Sequence, residues 1–256
     1  MSKKKSQATL TTKKDWSEYY DKNAHTQAKK ERPIAFSELF DKYLKPDKNK
    51  TVLEIGCAGG DFLHYLSDKF GYQPYGIDYS EKIELTRKKF AENGAVAPTL
   101  YLQDLMTWTT EKKFDVVCSF GFVEHFENFD FVIKKHADLV APDGMLILTV
   151  PHFSHGQYLL HWLLDRKNLK LHNTKIMNLK SFKKALASLP FEIEKLSYDG
   201  TFAFWTEKKL ETLPEKILYR IIRIFDREVN RIFGKNHPNF LFSPFIVCVA
   251  KKNDVR

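Results

Sequence analysis

The residues of this chain best placed to do chemistry follow a short apolar run. Val52-Leu53-Glu54-Ile55-Gly56-Cys57-Ala58-Gly59-Gly60-Asp61 reads as a strand that enters a glycine turn and then a helix. Glycine lets a ligand approach the backbone closely, and the first N–H groups of the helix are free to donate. A dinucleotide site would want G-x-G-x-x-G with a pyrophosphate at the helix start. This loop departs from that pattern. Glu54, two residues before the first glycine, sets a carboxylate beside the ligand, which suits an ammonium group and repels a pyrophosphate. A second strand ends as Tyr75-Gly76-Ile77-Asp78-Tyr79-Ser80, where the Asp78 carboxylate can accept from both hydroxyls of a ribose. The ligand implied is cationic, ribose-bearing and free of phosphate.

Histidines supply the other candidate chemistry. His125, His152, His155 and His172 fall near or beyond the carboxyl ends of the fourth and fifth expected strands. An imidazole there can take a proton from an acceptor near neutral pH. His125, preceded by Glu124, is the first candidate for a base and His152 the second. A packing role for His125 beneath the ligand is the competing reading.

These residues need a scaffold that gathers strand ends, and the pattern of the chain supplies one. Buried strands are expected at Thr51 to Ile55, Gln73 to Ile77, Thr99 to Leu102, Phe114 to Ser119 and Met145 to Val150. Amphipathic helices are expected between them at Asp61 to Phe70, Glu81 to Asn93 and near Phe129 to Val140. Alternating strands and helices predict an α/β fold, a doubly wound, mostly parallel sheet with ligands at the carboxyl ends of the strands. Two further strands, Phe191 to Tyr198 and Phe242 to Ala250, complete the sheet, and the intervening stretches read as helical lid insertions. The division expected is a flap over 1–50, a ligand-binding core over 51–150, and sheet completion with a lid over 151–256, all in one domain.

Composition sets outer bounds. The 256 residues are 43% hydrophobic and 29% charged with 11 Gly and 10 Pro, which excludes a disordered, collagen-like or coiled-coil chain. Three scattered cysteines specify neither a disulfide framework nor a zinc site, so a cytoplasmic home is expected. No apolar run approaches a membrane span. The net charge of +9 is uneven: residues 51–150 hold 9 Lys+Arg against 15 Asp+Glu, whereas 151–256 hold 19 against 10. Basic ends around an acidic middle suggest an anionic partner, although a solubilising lysine surface explains the same numbers.

From Thr51 to Val150 the chain resembles class I S-adenosylmethionine-dependent methyltransferases of the small-molecule, ubiquinone-biosynthesis-like type. Those carry E-x-G-x-G-x-G, here Glu54 to Gly60 with Ala58 at the middle glycine. The resemblance implies a seven-stranded sheet with its last strand antiparallel, S-adenosylmethionine as cofactor and S-adenosylhomocysteine as product. It implies that Gly56, Cys57, Ala58, Gly59 and Gly60 wrap the cofactor and that Asp78 and Tyr79 sit at the ribose. Gln103, Asp104 and Leu105 follow at the adenine, and Phe120 and Gly121 lie beside the reactive methyl group. Trp16-Ser17-Glu18-Tyr19-Tyr20 resembles a flap whose Tyr20 covers the cofactor. The Asn/Asp-Pro-Pro-Tyr run of enzymes that methylate nucleic acid bases is absent after the fourth strand. Some relatives hold a metal through E-x-x-E-H and a distant histidine; Gly121 replaces the first glutamate here, which leaves Glu124 and His125 with His155 or His172 as a third ligand, short of a full site, and no metal is expected.

The acceptor is less legible. Residues 156–178 resemble an insertion in bacterial methyltransferases of glycan (polysaccharide) and other small-molecule biosynthesis. From Leu213 to Phe233, Ile217, Leu218, Ile221, Ile222, Phe225, Val229 and Ile232 form one helical face, with Arg220, Arg223, Arg227 and Arg231 along another. That helix would be a lid with a solvated edge, a holder of an acceptor's phosphate or carboxylate, or a membrane-surface element. The expectation is an oxygen or nitrogen methyltransferase of a small anionic metabolite that is phosphorylated, nucleotide-linked or a glycan precursor. An RNA- or DNA-directed protein and a noncatalytic cofactor-binding protein are the alternatives.

Overall fold

A computed structural model of the chain describes residues 9–27 and 34–254. Parts of the expected flap, 1–8 and 28–33, lie outside the described residues. Helices α1 (Lys13–Gln27) and α2 (Ser37–Tyr43) precede the first strand. The core then runs β1 (Thr51–Ile55), α3 (Asp61–Phe70), β2 (Gln73–Asp78), α4 (Ile83–Glu92), β3 (Thr99–Leu102), β4 (Phe114–Phe120), α5 (Phe129–Leu139) and β5 (Val140–Pro151). Helices α6 (His155–Leu164), α7 (Arg166–Lys170) and α8 (Leu179–Leu186) lead to β6 (Phe191–Asp199), α9 (Leu213–Phe233) and β7 (Phe245–Lys252).

The seven strands form one sheet in the order β3-β2-β1-β4-β5-β7-β6. Only β7 runs antiparallel to its neighbours. Alternation along the strands feeds two cores. Leu53, Ile55, Val117, Leu146 and Leu148 pack with Phe129, Val132, Ile133 and Phe182 on one face. Val52, Val116 and Ile147 pack with Phe40, Leu63, Leu66, Ile83 and Phe90 on the other. Strands buried on both faces read as continuous apolar runs, which is why β1, β4 and β5 stand out in the sequence. Strand order reverses between the parallel neighbours β1 and β4, so the connections leave their carboxyl ends in opposite directions and open a crevice there.

Three elements have a boundary two or more residues from expectation. The second helix begins at Ile83 and ends at Glu92, inside the range expected. Strand β5 begins at Val140, because Val140 pairs with Phe114 before Ala141-Pro142-Asp143-Gly144 bulges out and pairing resumes at Met145. Strand β7 starts at Phe245 rather than Phe242: residues 239–243 turn on bonds to Asn239, and Pro244 has no N–H to give the ladder. Among the described residues no helix is long and apolar enough to cross a membrane.

Candidate active site at the carboxyl ends of the strands

The turn after β1 is shaped by its glycines. Gly56 has φ +77 and lies so close to Phe122 that a Cβ would sit 2.7 Å from the ring. Gly60 has φ +71 and touches Thr86 equally closely. Both positions exclude a side chain on conformation and on space. Ala58 has no such constraint, which explains why alanine stands in the middle of the motif. Its N–H donates to Asp78 Oδ2 at 3.1 Å, and its carbonyl accepts from Tyr20 Oη at 2.6 Å. The Asp78 carboxylate also accepts from Ser80 N–H at 2.8 Å, and burial raises its pKa. Gln103 N–H donates to the Asp78 carbonyl, tying the ends of β2 and β3 together.

Glu54 is 4% exposed. Its Oε2 is buried with no hydrogen-bond partner, and the nearby Leu63 N–H, near the start of α3, is the chief influence that favours the ionised form. Burial pushes its pKa up to about 8. A buried carboxylate with one unmatched oxygen is an incomplete ion pair.

Two connected spaces surround these groups. The first, of about 510 Å³, is lined by Asp78, Tyr79, Gln103, Asp104, Leu105 and Met106, and closed by Trp16 and Phe122. The second, of about 1360 Å³, reaches from Tyr20, Glu54, Gly56, Ala58 and Gly60 past Phe120 and Gly121 to Glu124, His125 and His172. His125 lines both, and Trp16 stacks edge-on against it at 5.0 Å.

The far wall carries the titratable cluster. His125 Nδ1 donates to the Leu171 carbonyl at 2.8 Å and His172 Nδ1 to the Asn168 carbonyl at 2.7 Å. A carbonyl only accepts, so both rings carry their proton on Nδ1 and keep Nε2 as a lone pair. His125 Nε2 lies 3.8 Å from Glu124 Oε1. Glu124 is fully buried with neither carboxylate oxygen hydrogen-bonded. Burial raises Glu124 to about 8 and lowers His125 to about 3 and His172 to about 4, the proton on His172 adding to the fall at His125. The three ligand atoms lie within 4.8 Å of one another, close enough to hold a divalent cation or to relay a proton.

The sequence expectations meet this geometry unevenly. Tyr20, Glu54, Gly56, Ala58, Gly60, Asp78, Tyr79, Gln103, Asp104, Leu105, Phe120, Gly121, Glu124 and His125 all line the two spaces. Cys57 and Gly59 do not. The Cys57 side chain points into the core against Gly76, and its carbonyl accepts from Thr86 Oγ1. His152 requires correction as a base: it is fully buried outside both spaces, with Nδ1 donating to the Ser243 carbonyl. Extended backbone sends neighbouring side chains to opposite sides, so Pro151 and Phe153 face the cleft and His152 faces away. Helix α9 contributes no residue to either space, so it neither lids the cleft nor offers its arginines there. Trp205 and Glu207, just before α9, do reach it, and no spacing in the sequence marked them.

A family model for a methyltransferase domain matches residues 24–196. This chain belongs to that family. A ubiquinone biosynthesis O-methyltransferase of Pelagibacter ubique is 31% identical over 134 residues, 46% of this chain and 53% of that protein. The (S)-coclaurine N-methyltransferase of Papaver somniferum is 26% identical over 134 residues, 52% of this chain and 38% of that protein. The chain therefore spans about half or less of the curated relatives it matches. Among solved structures, the magnesium protoporphyrin IX methyltransferase of Synechocystis PCC 6803 with bound S-adenosylhomocysteine gives a TM-score of 0.54 at 17% identity, covering 94% of this chain and 99% of that one. The [4+2]-cyclase SpnF gives 0.60 at 14% identity, covering 96% and 98%. The methyltransferase fold implied by the resemblance is thus present, and the cyclase shows that this fold by itself does not fix a reaction.

S-adenosylmethionine fits the donor set of this methyltransferase-family chain. The unmatched Glu54 oxygen suits an ammonium group and the strand-end carboxylate of Asp78 suits ribose hydroxyls. The largely apolar space beside Asp104 suits a flat base.

Proposed function

We propose that the chain transfers a methyl group from S-adenosylmethionine to an oxygen or nitrogen of a small molecule. The observation that carries this is Glu54: a buried carboxylate with an open oxygen, in the same cleft as a histidine holding a free lone pair. The cofactor supplies a methyl group on a sulfonium, whose departure needs no acid. What the chain must supply is alignment, exclusion of water and removal of the acceptor's proton. Glu54 and Asp78 fix the two polar ends of the cofactor. Trp16 and Tyr20 of α1 close over it. His125 Nε2 takes the acceptor's proton, and the Glu124 carboxylate, when ionised, holds the imidazolium that results.

The acceptor's shape is read from the remaining wall. Phe36, Phe62, Phe120, Phe153, Trp205 and Phe245 face the cleft, so a flat or apolar body fits there. Among the described residues no Lys or Arg lines the cleft, so an anion inside it would lose its water without gaining a counter-charge. An anionic group of the acceptor belongs instead at the rim, where Lys22, Lys167 and Lys209 line the adjoining opening together with Asp15, Glu18, Asp165 and Glu207. Phosphorylated or nucleotide-linked acceptors with an aromatic or apolar end meet both requirements. A nucleic acid is less well served, because Arg223, Arg227 and Arg231 are already paired with Asp226 and Glu228. Incubation with methyl-labelled cofactor and a pool of such acceptors, read by mass spectrometry, tests the proposal. Cofactor that binds yet labels nothing across oxygen and nitrogen acceptors would favour a noncatalytic binding protein.

A further inference from the structure

Helices α6 and α9 share a small core, Leu164 and Ile222 with Phe202 and Phe204, yet both also turn large apolar side chains to solvent. At about 100° per residue, Leu213, Ile217, Ile221, Ile224, Phe225 and Ile232 fall within an arc of about 120° on α9. They are 46 to 70% exposed. Leu218, Ile222 and Val229, which pack inward, adjoin one edge of this arc, and Lys216, Arg220, Arg223 and Arg227 adjoin the other. On α6, Gln157, His161 and Leu164 are buried, while Tyr158, Leu159, Trp162 and Leu163 on the opposite side are 42 to 55% exposed. A helix that is apolar on both sides belongs under a cover.

We propose that the exposed apolar arc of α9 lies on an anionic lipid surface, with the helix in the plane of the interface. The charge pattern selects that occupant. The acids of α9 are neutralised locally, Glu215 by Lys208, Asp226 by Arg223 and Glu228 by Arg227 and Arg231. Lys216 and Arg220 have no ion-pair partner among the described residues, so the edge of the apolar arc keeps an uncompensated positive charge. Anionic headgroups complement that edge, whereas a two-fold contact with a second copy would bring like charges together. Trp162, with the Arg166 guanidinium 4.1 Å above its ring, is the side-chain type found at the headgroup boundary. The face also adjoins the cleft along the chain. Asn168 and Leu171, just past α6, and Trp205 to Lys209, just before α9, line the cleft and its opening.

The full chain is sedimented with vesicles of phosphatidylcholine alone and with vesicles containing phosphatidylglycerol. Strong association with the anionic vesicles is expected, at least about tenfold tighter than with neutral ones and weakened by raising salt to about 0.5 M. Ile217→Glu with Ile221→Glu abolishes it, and Lys216→Gln with Arg220→Gln weakens it by about fivefold per charge removed. The second pair removes no packing and reads the same face if the isoleucine variants lose their fold. The proposal is overturned by a folded chain that ignores anionic vesicles, or by binding that both pairs of variants leave unchanged. It is also overturned by a concentration-dependent dimer that the isoleucine variants make monomeric while vesicles stay unbound. Affinity for S-adenosylhomocysteine in the same variants stays unchanged, so this test and that of the methyl-transfer reading fail independently.

Discussion

Cofactor binding should expel a proton from Glu54. In the free protein burial holds this carboxyl near 8, so at pH 7 it is about nine-tenths protonated. An ammonium group about 3 Å away, at an effective dielectric constant of about 20, favours the ionised form by about 5 kcal/mol, or about 4 pK units. The bound carboxyl is then fully ionised, and about 0.9 proton leaves per cofactor bound. Titration calorimetry at pH 7 in buffers of low and high ionisation enthalpy reads that number directly. Glu54→Gln removes the release and weakens binding. The same burial loads the empty fold. The folded pKa lies above the ordinary 4.5, so the burial of Glu54 is harmless below about pH 4.5, and stability falls as pH rises from there through 8. At pH 7 the cost is about 3 kcal/mol, part of which Glu54→Gln recovers as a higher Tm without ligand. Equal heats in both buffers, or the same proton count in the glutamine variant, would refute the reasoning.

Asp78→Ala removes the acceptor of two charge-assisted hydrogen bonds and is expected to weaken cofactor binding about a hundredfold, measured by the same calorimetry. Gly60→Ala forces a Cβ to 2.7 Å from Thr86 at a positive φ and should abolish binding while thermal melting still shows a folded chain. His125→Ala lowers turnover far more than cofactor affinity. In the wild type turnover rises with pH through the Glu124 range near 8, as the ionised carboxylate becomes available to the imidazolium, and Glu124→Gln flattens that profile. Exhaustive chelation, and addition of zinc or magnesium afterwards, leave turnover unchanged if Glu124, His125 and His172 act through protons rather than through a metal.

Much of this site was visible in the chain because its parts are local. Glu54 and the glycine turn lie within seven residues, and each later strand delivers its carboxylate or glycine at its own end, so strand order in sequence becomes proximity in space. The parts that escaped depend on contacts no spacing encodes. That His172 rather than His155 joins Glu124 and His125 depends on the segment after α7 folding back over the end of β4, where Leu171 supplies the carbonyl that orients the His125 ring. The side that His152 takes is hidden in the sequence because it depends on the register of β5 against β7, one residue either way reversing it. The amphipathic pattern of α9 was legible. That its apolar arc is wider than its packed side was not, since the pattern counts apolar residues without saying how many find partners.

A structure of the complex with S-adenosylhomocysteine tests the central claim most directly. The ligand's ammonium group is expected on Glu54 Oε2, its ribose hydroxyls on Asp78 and its base beside Asp104 and Leu105. A ligand seated elsewhere, or a folded chain that takes up none at saturating concentration, would contradict it.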